Sequence, residues 1–180
     1  MRLFHFSDET GIACFQPRPV RTPSVRKTGW EWLNGPLVWA ISEEHQRLYL
    51  FPRECPRVVI WARPESSAAD RSQWLGNLSP GVQAVAYVES AWERCLASAE
   101  VFRYTLPTTT FESIEDAGMF VSRQAVRPLA IERISDLPSA LNAAATELRI
   151  VGNLASLKDV WSSSLHASGI RLRNTNRPPI

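Results

Sequence analysis

The sequence predicts an α+β fold with a mixed or split β-sheet and flanking helices. Runs with the alternating period of strands are mixed irregularly with helix-like runs, without the strict alternation of βαβ units and without an internal repeat. No G-x-G-x-x-G segment and no Walker lysine loop is present, which excludes a Rossmann fold. A chain of 180 residues with 44% hydrophobic and 21% charged residues has the size and composition of one globular domain. We therefore expect residues 1–180 to form a single domain.

The first predicted strand is Arg2–Ser7, where apolar and polar residues alternate. This period places His5 and Ser7 on the same face of the strand. Residues 16–36 follow, with four of the 13 prolines and the basic residues Arg18, Arg21, Arg26 and Lys27. Such a composition favours an extended loop, and a loop of this length in a compact domain is usually functional or disordered.

The second predicted strand, Leu37–Ile41, runs into a helix for which Ser42 is a good N-cap. We expect this helix to end near Phe51, with His45 and Tyr49 at positions i and i+4 on one face. A flexible tail is predicted over 174–180, where prolines recur. The remaining predicted strands cover 57–62, 82–88, 100–106, 119–122 and 129–134, and the remaining predicted helices cover 72–78, 90–98, 137–148 and 154–165.

Charge and cysteine content narrow the classes of function. A formal charge of +2 is too small to predict a nucleic-acid partner, which needs basic residues concentrated on one face. The three cysteines form no C-x-x-C pair, so neither a disulfide framework nor a structural metal site is expected. Acidic residues at Asp8 and Glu9 interrupt any signal-peptide core, and no run approaches a membrane span. We expect a cytoplasmic protein without a membrane or metal partner.

Residues able to do chemistry are concentrated between Leu37 and Arg63. Trp39 lies in one predicted strand, and a loop bracketed by prolines carries Arg53, Glu54, Cys55 and Arg57. Forked guanidinium groups can bind a phosphate or a carboxylate, but an arginine–glutamate network that pins the loop has the same sequence. Cys55 beside two arginines could have a lowered thiol pKa, although most such thiols are small buried hydrophobes.

Three segments carry a family resemblance: LFHFSDETGI, VWAISEEHQRLYLFPRECPRV and FVSRQAVRPLAIERI. In these motifs the chain resembles a family of small uncharacterised bacterial proteins of unknown function, over nearly its whole length. The order of an H-x-S first strand, a second strand running into a helix and a later strand followed by S-R-x-x-V is also similar to ADP-ribosyltransferase-like folds.

The second resemblance implies NAD as cofactor and a nucleotide-like small molecule as partner. It implies that His5 holds a ribose with Ser7 as the hydroxyl residue, and that Tyr49 lines the nicotinamide pocket. His5 and Tyr49 are then the candidate catalytic residues. The acidic residue of such sites has no clear counterpart, since Gln124 stands about where a glutamate is expected and Glu132 lies further on. The predicted cofactor-binding residues are His5, Ser7, Trp39, His45, Tyr49 and Arg53.

Two other hypotheses stay open at this stage. In one, the protein is a non-catalytic protein- or nucleic-acid-interaction domain, whose proline-rich arm (16–36) and basic C-terminal tail contact a partner. In the other, it is an enzyme that depends on Cys55, which requires that thiol to be exposed and reactive.

Overall fold

The structure, a computed structural model, describes residues 1–177 and 179 and divides the chain into two compact units. The first unit contains Met1–Gln46 and Val101–Arg133. The second unit contains Arg47–Glu100 and the described residues from Ile134 onward. Each unit is therefore assembled from two separate stretches of chain.

The fold is α+β, with mixed pairing of strands and a few short helices, as the sequence predicts. Within the described residues the strands are β1 (Leu3–Ser7), β2 (Val38–Ser42), β3 (Arg57–Trp61), β4 (Ala84–Glu89), β5 (Val101–Leu106), β6 (Glu112–Ser113), β7 (Met119–Ser122), β8 (Ala130–Ile134), β9 (Thr146–Val151) and β10 (His166–Ile170). The α-helices are α1 (Ala68–Asp70), which continues as a π-helical turn over Arg71–Leu75, α2 (Glu93–Ser98) and α3 (Leu137–Ala143). The 3₁₀ helices are Glu31–Asn34, Glu43–Leu48, Ser90–Trp92, Leu154–Ser162 and Leu172–Asn174.

The first unit is built on a six-stranded sheet of order β6-β7-β2-β1-β5-β8. Alternation along β2 sends Val38 and Ala40 to one face and Trp39 to the other, and each face carries its own apolar cluster. The first face packs against Phe15, and the second packs against Leu33 from the arm. Both clusters come from the alternating apolar residues that predicted these strands.

The second unit is built on a four-stranded sheet of order β10-β3-β4-β9, in which β4 and β9 are parallel and the other neighbours are antiparallel. Strands β3 and β4 read as continuous apolar runs because almost every residue in them is buried. The 3₁₀ helix Leu154–Ser162 covers one face through Leu154, Leu157 and Val160.

The sequence prediction is wrong over two strands of this second sheet. Residues 146–148, the end of the predicted helix 137–148, belong to β9 (Thr146–Val151), and no strand is predicted over β10. Asp136 does cap α3, since its side chain accepts the Ser139 amide hydrogen, but α3 ends at Ala143 and Ala145 adopts φ +54°. Pairing with β4 then decides the conformation of the next six residues.

The predicted helix after β2 needs correction, whereas the flexible tail over 174–180 stays a prediction. The helix after β2 is a 3₁₀ helix that ends at Leu48, so the α-helical spacing that placed His45 and Tyr49 on one face does not apply. Of the predicted flexible tail, Asn174 ends a 3₁₀ helix and the Asn176 amide donates to the buried Glu89 carboxylate at 2.8 Å. Pro178 and Ile180 lie outside the described residues.

Candidate functional site

His5 lies in β1, the strand between β2 and β5 in the first sheet. The pairing of β1 with β2 includes Leu3 and Phe4, and its pairing with β5 continues to Ser7. The part of β1 from His5 to Ser7 is paired in register with β5; we name this segment the β1 opening.

The imidazole of His5 is held in a defined orientation. Its Nδ1 lies 2.8 Å from the Trp39 carbonyl oxygen, and its ring centroid is 4.5 Å from that of Phe15. Since a carbonyl oxygen only accepts, Nδ1 carries the proton, and in the neutral ring Nε2 is then a hydrogen-bond acceptor. His5 is half-buried, as suits a side chain with one face in the core.

Ser7 lies on the same strand face as His5 and closes the turn after β1. Its Oγ accepts the Glu9 amide hydrogen at 3.1 Å, and Ser7 is 6% exposed. The phenol of Tyr104 donates to the Glu9 carbonyl at 2.8 Å and accepts from the Ile12 amide at 3.2 Å. These bonds fix the segment that carries Phe15 over His5.

Trp39 contributes to this site through its backbone alone. Its carbonyl accepts from His5, but its side chain lies on the opposite face of the sheet with Leu37 and Val121. The Arg26 guanidinium carbon lies 5.9 Å from the Trp39 ring centroid, and the buried Nε1 has no hydrogen-bond partner among residues 1–177 and 179. The side chains of His5 and Trp39 therefore do not line one surface.

His45 is packed closely against β2 and the start of β7. Its Nδ1 lies 3.1 Å from Ser42 Oγ, and Ser42 itself is buried. Gly118, with φ +70°, lies so close that a Cβ there would come within 3.0 Å of Ser42 Oγ and His45 Nδ1. This arrangement accounts for the glycine and for the local fold, while a role of His45 in binding a cofactor stays a prediction.

Tyr49 and Arg53 belong to the second unit. Tyr49 is half-buried, with the Arg57 guanidinium carbon 5.7 Å from its ring centroid. Arg53 is exposed, and its carbonyl accepts from Arg171 Nε at 3.2 Å. Their predicted roles beside His5 remain predictions.

The loop before β3 is organised by the buried guanidinium of Arg57. Its Nε and Nη2 donate to the Leu48 carbonyl at 3.1 and 2.8 Å, and its Nη1 donates to the Cys55 carbonyl at 3.0 Å. Arg57 is 2% exposed, and burial lowers its pKa to about 10. The arginine predicted as an anion clamp thus binds the backbone of its own loop.

Cys55 does not have the environment of a catalytic nucleophile. It is fully buried, and burial raises the pKa of its thiol to about 12 against an ordinary value of 9.0. A thiol that stays protonated and has no contact with solvent does not attack a substrate. The hypothesis of an enzyme dependent on Cys55 is therefore wrong.

Of the two candidates for the acidic residue, Glu132 is held on the sheet face opposite His5. The Glu132 carboxylate accepts from Arg103 Nη2 at 2.6 Å, and Arg103 lies over Phe4, on the sheet face opposite His5. Gln124 is exposed, and its backbone N–H donates to Ser122 Oγ at 3.1 Å.

Two aromatic contacts escaped sequence reasoning. Phe15 lies beside His5, and its backbone forms an isolated bridge with Val126, a distant residue to which no local pattern points. In the second unit His166 stacks on Trp61, with ring centroids 4.1 Å apart and an interplanar angle of 20°. Recognising β10 would have placed these two rings opposite each other, since His166 is the register partner of Trp61.

The chain belongs to a family of unknown function, DUF6886, which matches residues 4–175. Searches of the curated proteins and of the solved structures each gave no match. In the described part of the chain, no helix has the length and apolarity to cross a membrane. No group of three or more histidine, cysteine, aspartate or glutamate residues placed to hold a metal ion occurs within 1–177 and 179.

Proposed function

We propose that the first unit is an ADP-ribosyltransferase-like module that binds NAD, or another nucleotide bearing ADP-ribose, at the β1 opening. The observation that carries the proposal is the orientation of the His5 imidazole, whose Nδ1 lies 2.8 Å from the Trp39 carbonyl oxygen. The H-x-S resemblance gives the same residue the role of holding a ribose. Ser7, two residues further on the same face, supplies the hydroxyl of that motif.

The side chains at the β1 opening have the hydrogen-bonding groups and the apolar surface that a ribose with an attached ring would need. An imidazole acceptor and a serine hydroxyl can pair with vicinal ribose hydroxyls, each of which both donates and accepts. Phe15, which already stacks at an angle on His5, provides an apolar wall of the kind that small-molecule sites use.

In the transfer that the resemblance implies, the bond between ribose C1′ and the nicotinamide nitrogen breaks. The electron pair leaves with neutral nicotinamide, positive charge develops on the ribose, and an acceptor bonds to C1′ as it loses its proton. Groups that hold the ribose while this charge develops lower the barrier. His5 and Ser7 are the residues to which we assign this positioning.

The test compares ligand-induced stabilisation in matched variants. The midpoint of thermal unfolding is measured for the unaltered protein, His5→Gln and, as a control in the second unit, His166→Gln, with NAD, ADP-ribose and, as a control nucleotide, ATP. We expect NAD and ADP-ribose to raise the midpoint with concentration in the unaltered protein and in His166→Gln but not in His5→Gln, because only a ligand of the folded state stabilises it. Release of nicotinamide from NAD, followed by chromatography, reports the transfer step separately.

The absence of any shift with NAD and ADP-ribose at millimolar concentration would overturn the proposal. An equal shift in His5→Gln and the unaltered protein would also overturn it, since His5 would then not contact the ligand. The midpoint of each variant without ligand shows whether the substitution has disturbed folding.

A further inference from the structure

The arm, residues 16–36, is an ordered loop rather than a loose connection. The two ends of the arm, which we call its neck, are joined by backbone contacts. Arg18 and Leu37 form an antiparallel bridge, and the Val20 amide donates to the Asn34 carbonyl at 3.2 Å. Leu33 is buried in the apolar cluster on the second face of the first sheet. The neck and one apolar side chain therefore fix the arm to the first unit.

Asn34 holds the two sides of the arm together. Its Oδ1 accepts from the Ser24 amide at 3.3 Å and from Arg26 Nε at 3.4 Å, while its Nδ2 donates to the Ser24 carbonyl at 2.8 Å. One side chain thus meets three groups of the opposite side, so the outer surface of the arm has a defined shape.

That outer surface presents indole rings to solvent. Trp30 is 41% exposed and Trp32 is 38% exposed. The Arg123 guanidinium carbon lies 4.6 Å from the Trp32 ring centroid, and Arg123 is also ion-paired with Glu112. This contact fixes the Trp32 ring while leaving part of it exposed.

The arm also concentrates positive charge that the net charge of the chain conceals. It contains four basic residues and one acidic residue, Glu31, and so carries +3, whereas the whole chain carries +2. Arg18, Arg21 and Lys27 are exposed. The condition for an anionic partner, basic residues gathered in one place, is therefore met locally.

We propose that the arm binds single-stranded nucleic acid, with bases stacked on Trp30 and Trp32 and phosphates near Arg18, Arg21 and Lys27. Single strands offer unpaired bases whose flat faces stack on aromatic rings, together with a charge on every nucleotide. A duplex hides those faces, and an acidic peptide offers charge without flat rings. This binding is independent of the nucleotide site proposed at the β1 opening.

The test measures fluorescence anisotropy of a labelled thymidine oligonucleotide of about 20 nucleotides, a length that spans more than one stacking site. The unaltered chain is compared with the double variants Trp30→Ala/Trp32→Ala and Arg21→Gln/Lys27→Gln. The matched control is Trp161→Ala, since Trp161 is 48% exposed in the second unit. The same oligonucleotide as a duplex, polyglutamate, and vesicles of phosphatidylcholine with phosphatidylserine are the competitors.

We expect the tryptophan double variant to bind about tenfold more weakly or worse, and Trp161→Ala to bind as the unaltered chain does. The arginine–lysine variant should show a shallower dependence of log Kd on log salt concentration, because fewer counterions are released. Duplex and polyglutamate should compete poorly. Absence of binding at low salt, equal binding by the tryptophan variant and Trp161→Ala, or binding to vesicles but not to the oligonucleotide would each overturn the proposal.

Discussion

The β1 opening in the first unit and the loop before β3 in the second both gather residues capable of chemistry, but they use them differently. The loop contains more residues of reactive types than the β1 opening. Its Arg57 nevertheless donates to backbone carbonyls, and its Cys55 is buried away from solvent. At the β1 opening a single ring, His5, is fixed through one nitrogen by the Trp39 carbonyl. The orientation of polar atoms, rather than the density of reactive residue types, distinguishes a candidate site from a structural network.

The strongest test of this comparison is to remove the buried guanidinium of the loop. Arg57→Met would leave the Leu48 and Cys55 carbonyls without their donors, and we expect the free energy of unfolding to fall by about 3 kcal/mol. Arg53→Met, at an exposed position of the same loop, should change it by less than about 1 kcal/mol. Urea unfolding followed by tryptophan fluorescence measures both. Equal losses in the two variants would contradict a structural role specific to Arg57.

The second test uses pH and the buried thiol. Because the pKa of Cys55 is about 12 in the folded state and about 9 when exposed, the folded protein keeps a proton that the unfolded chain loses between these values. Stability should therefore fall as pH rises above 9, by at most about 1.4 kcal/mol per pH unit from this group. Arg57, with its pKa lowered to about 10, acts in the opposite direction above pH 10, so the Cys55 effect is clearest between pH 9 and 10.

The control for the pH test is Cys55→Ala, which should show a flatter decline than the unaltered protein over pH 9–10. Native protein should also resist alkylation at Cys55 while Cys14 and Cys95, which are half-buried, react. Rapid native labelling of Cys55 would contradict the assignment of this loop as closed.

The smallest expected effect concerns His5 itself. Its hydrogen bond to the Trp39 carbonyl is half-buried, so His5→Gln should reduce the free energy of unfolding by only about 1 kcal/mol. Urea unfolding measured as for Arg57 checks this value. A loss as large as that of Arg57→Met would make His5 a structural residue and erase the contrast between the two regions.

Local sequence patterns predicted the strands of the first unit except β6, which lies where no strand was predicted. Strand β7 lies at its predicted residues, and β1, β2 and β5 differ by a residue at one or both ends, because alternation with one apolar face is a local signal. Strands β9 and β10 escaped prediction because their pairing with β4 and β3 joins distant parts of the chain. Partners of that kind override helix propensity and leave no local trace.

In the candidate site, too, local patterns predicted some features and missed others. A period of two is enough to place His5 and Ser7 on one face, since it depends only on their being two apart on a strand. The helical spacing of His45 and Tyr49 failed because a 3₁₀ helix replaced the α-helix. The contact of Phe15 with His5 depends on a bridge to Val126, which no short motif encodes.

The division of each unit into two stretches of chain has a consequence for synthesis on the ribosome. Every strand of the first sheet has been made once β8 has emerged, whereas the second sheet lacks β9 and β10 until residues 146–170 follow. Translation proceeds from the amino terminus, and a unit can fold once all of its strands have been synthesised. The first sheet can therefore close while the apolar strands β3 and β4 still await their outer neighbours, and we expect those exposed strands to favour aggregation of nascent chains in that interval.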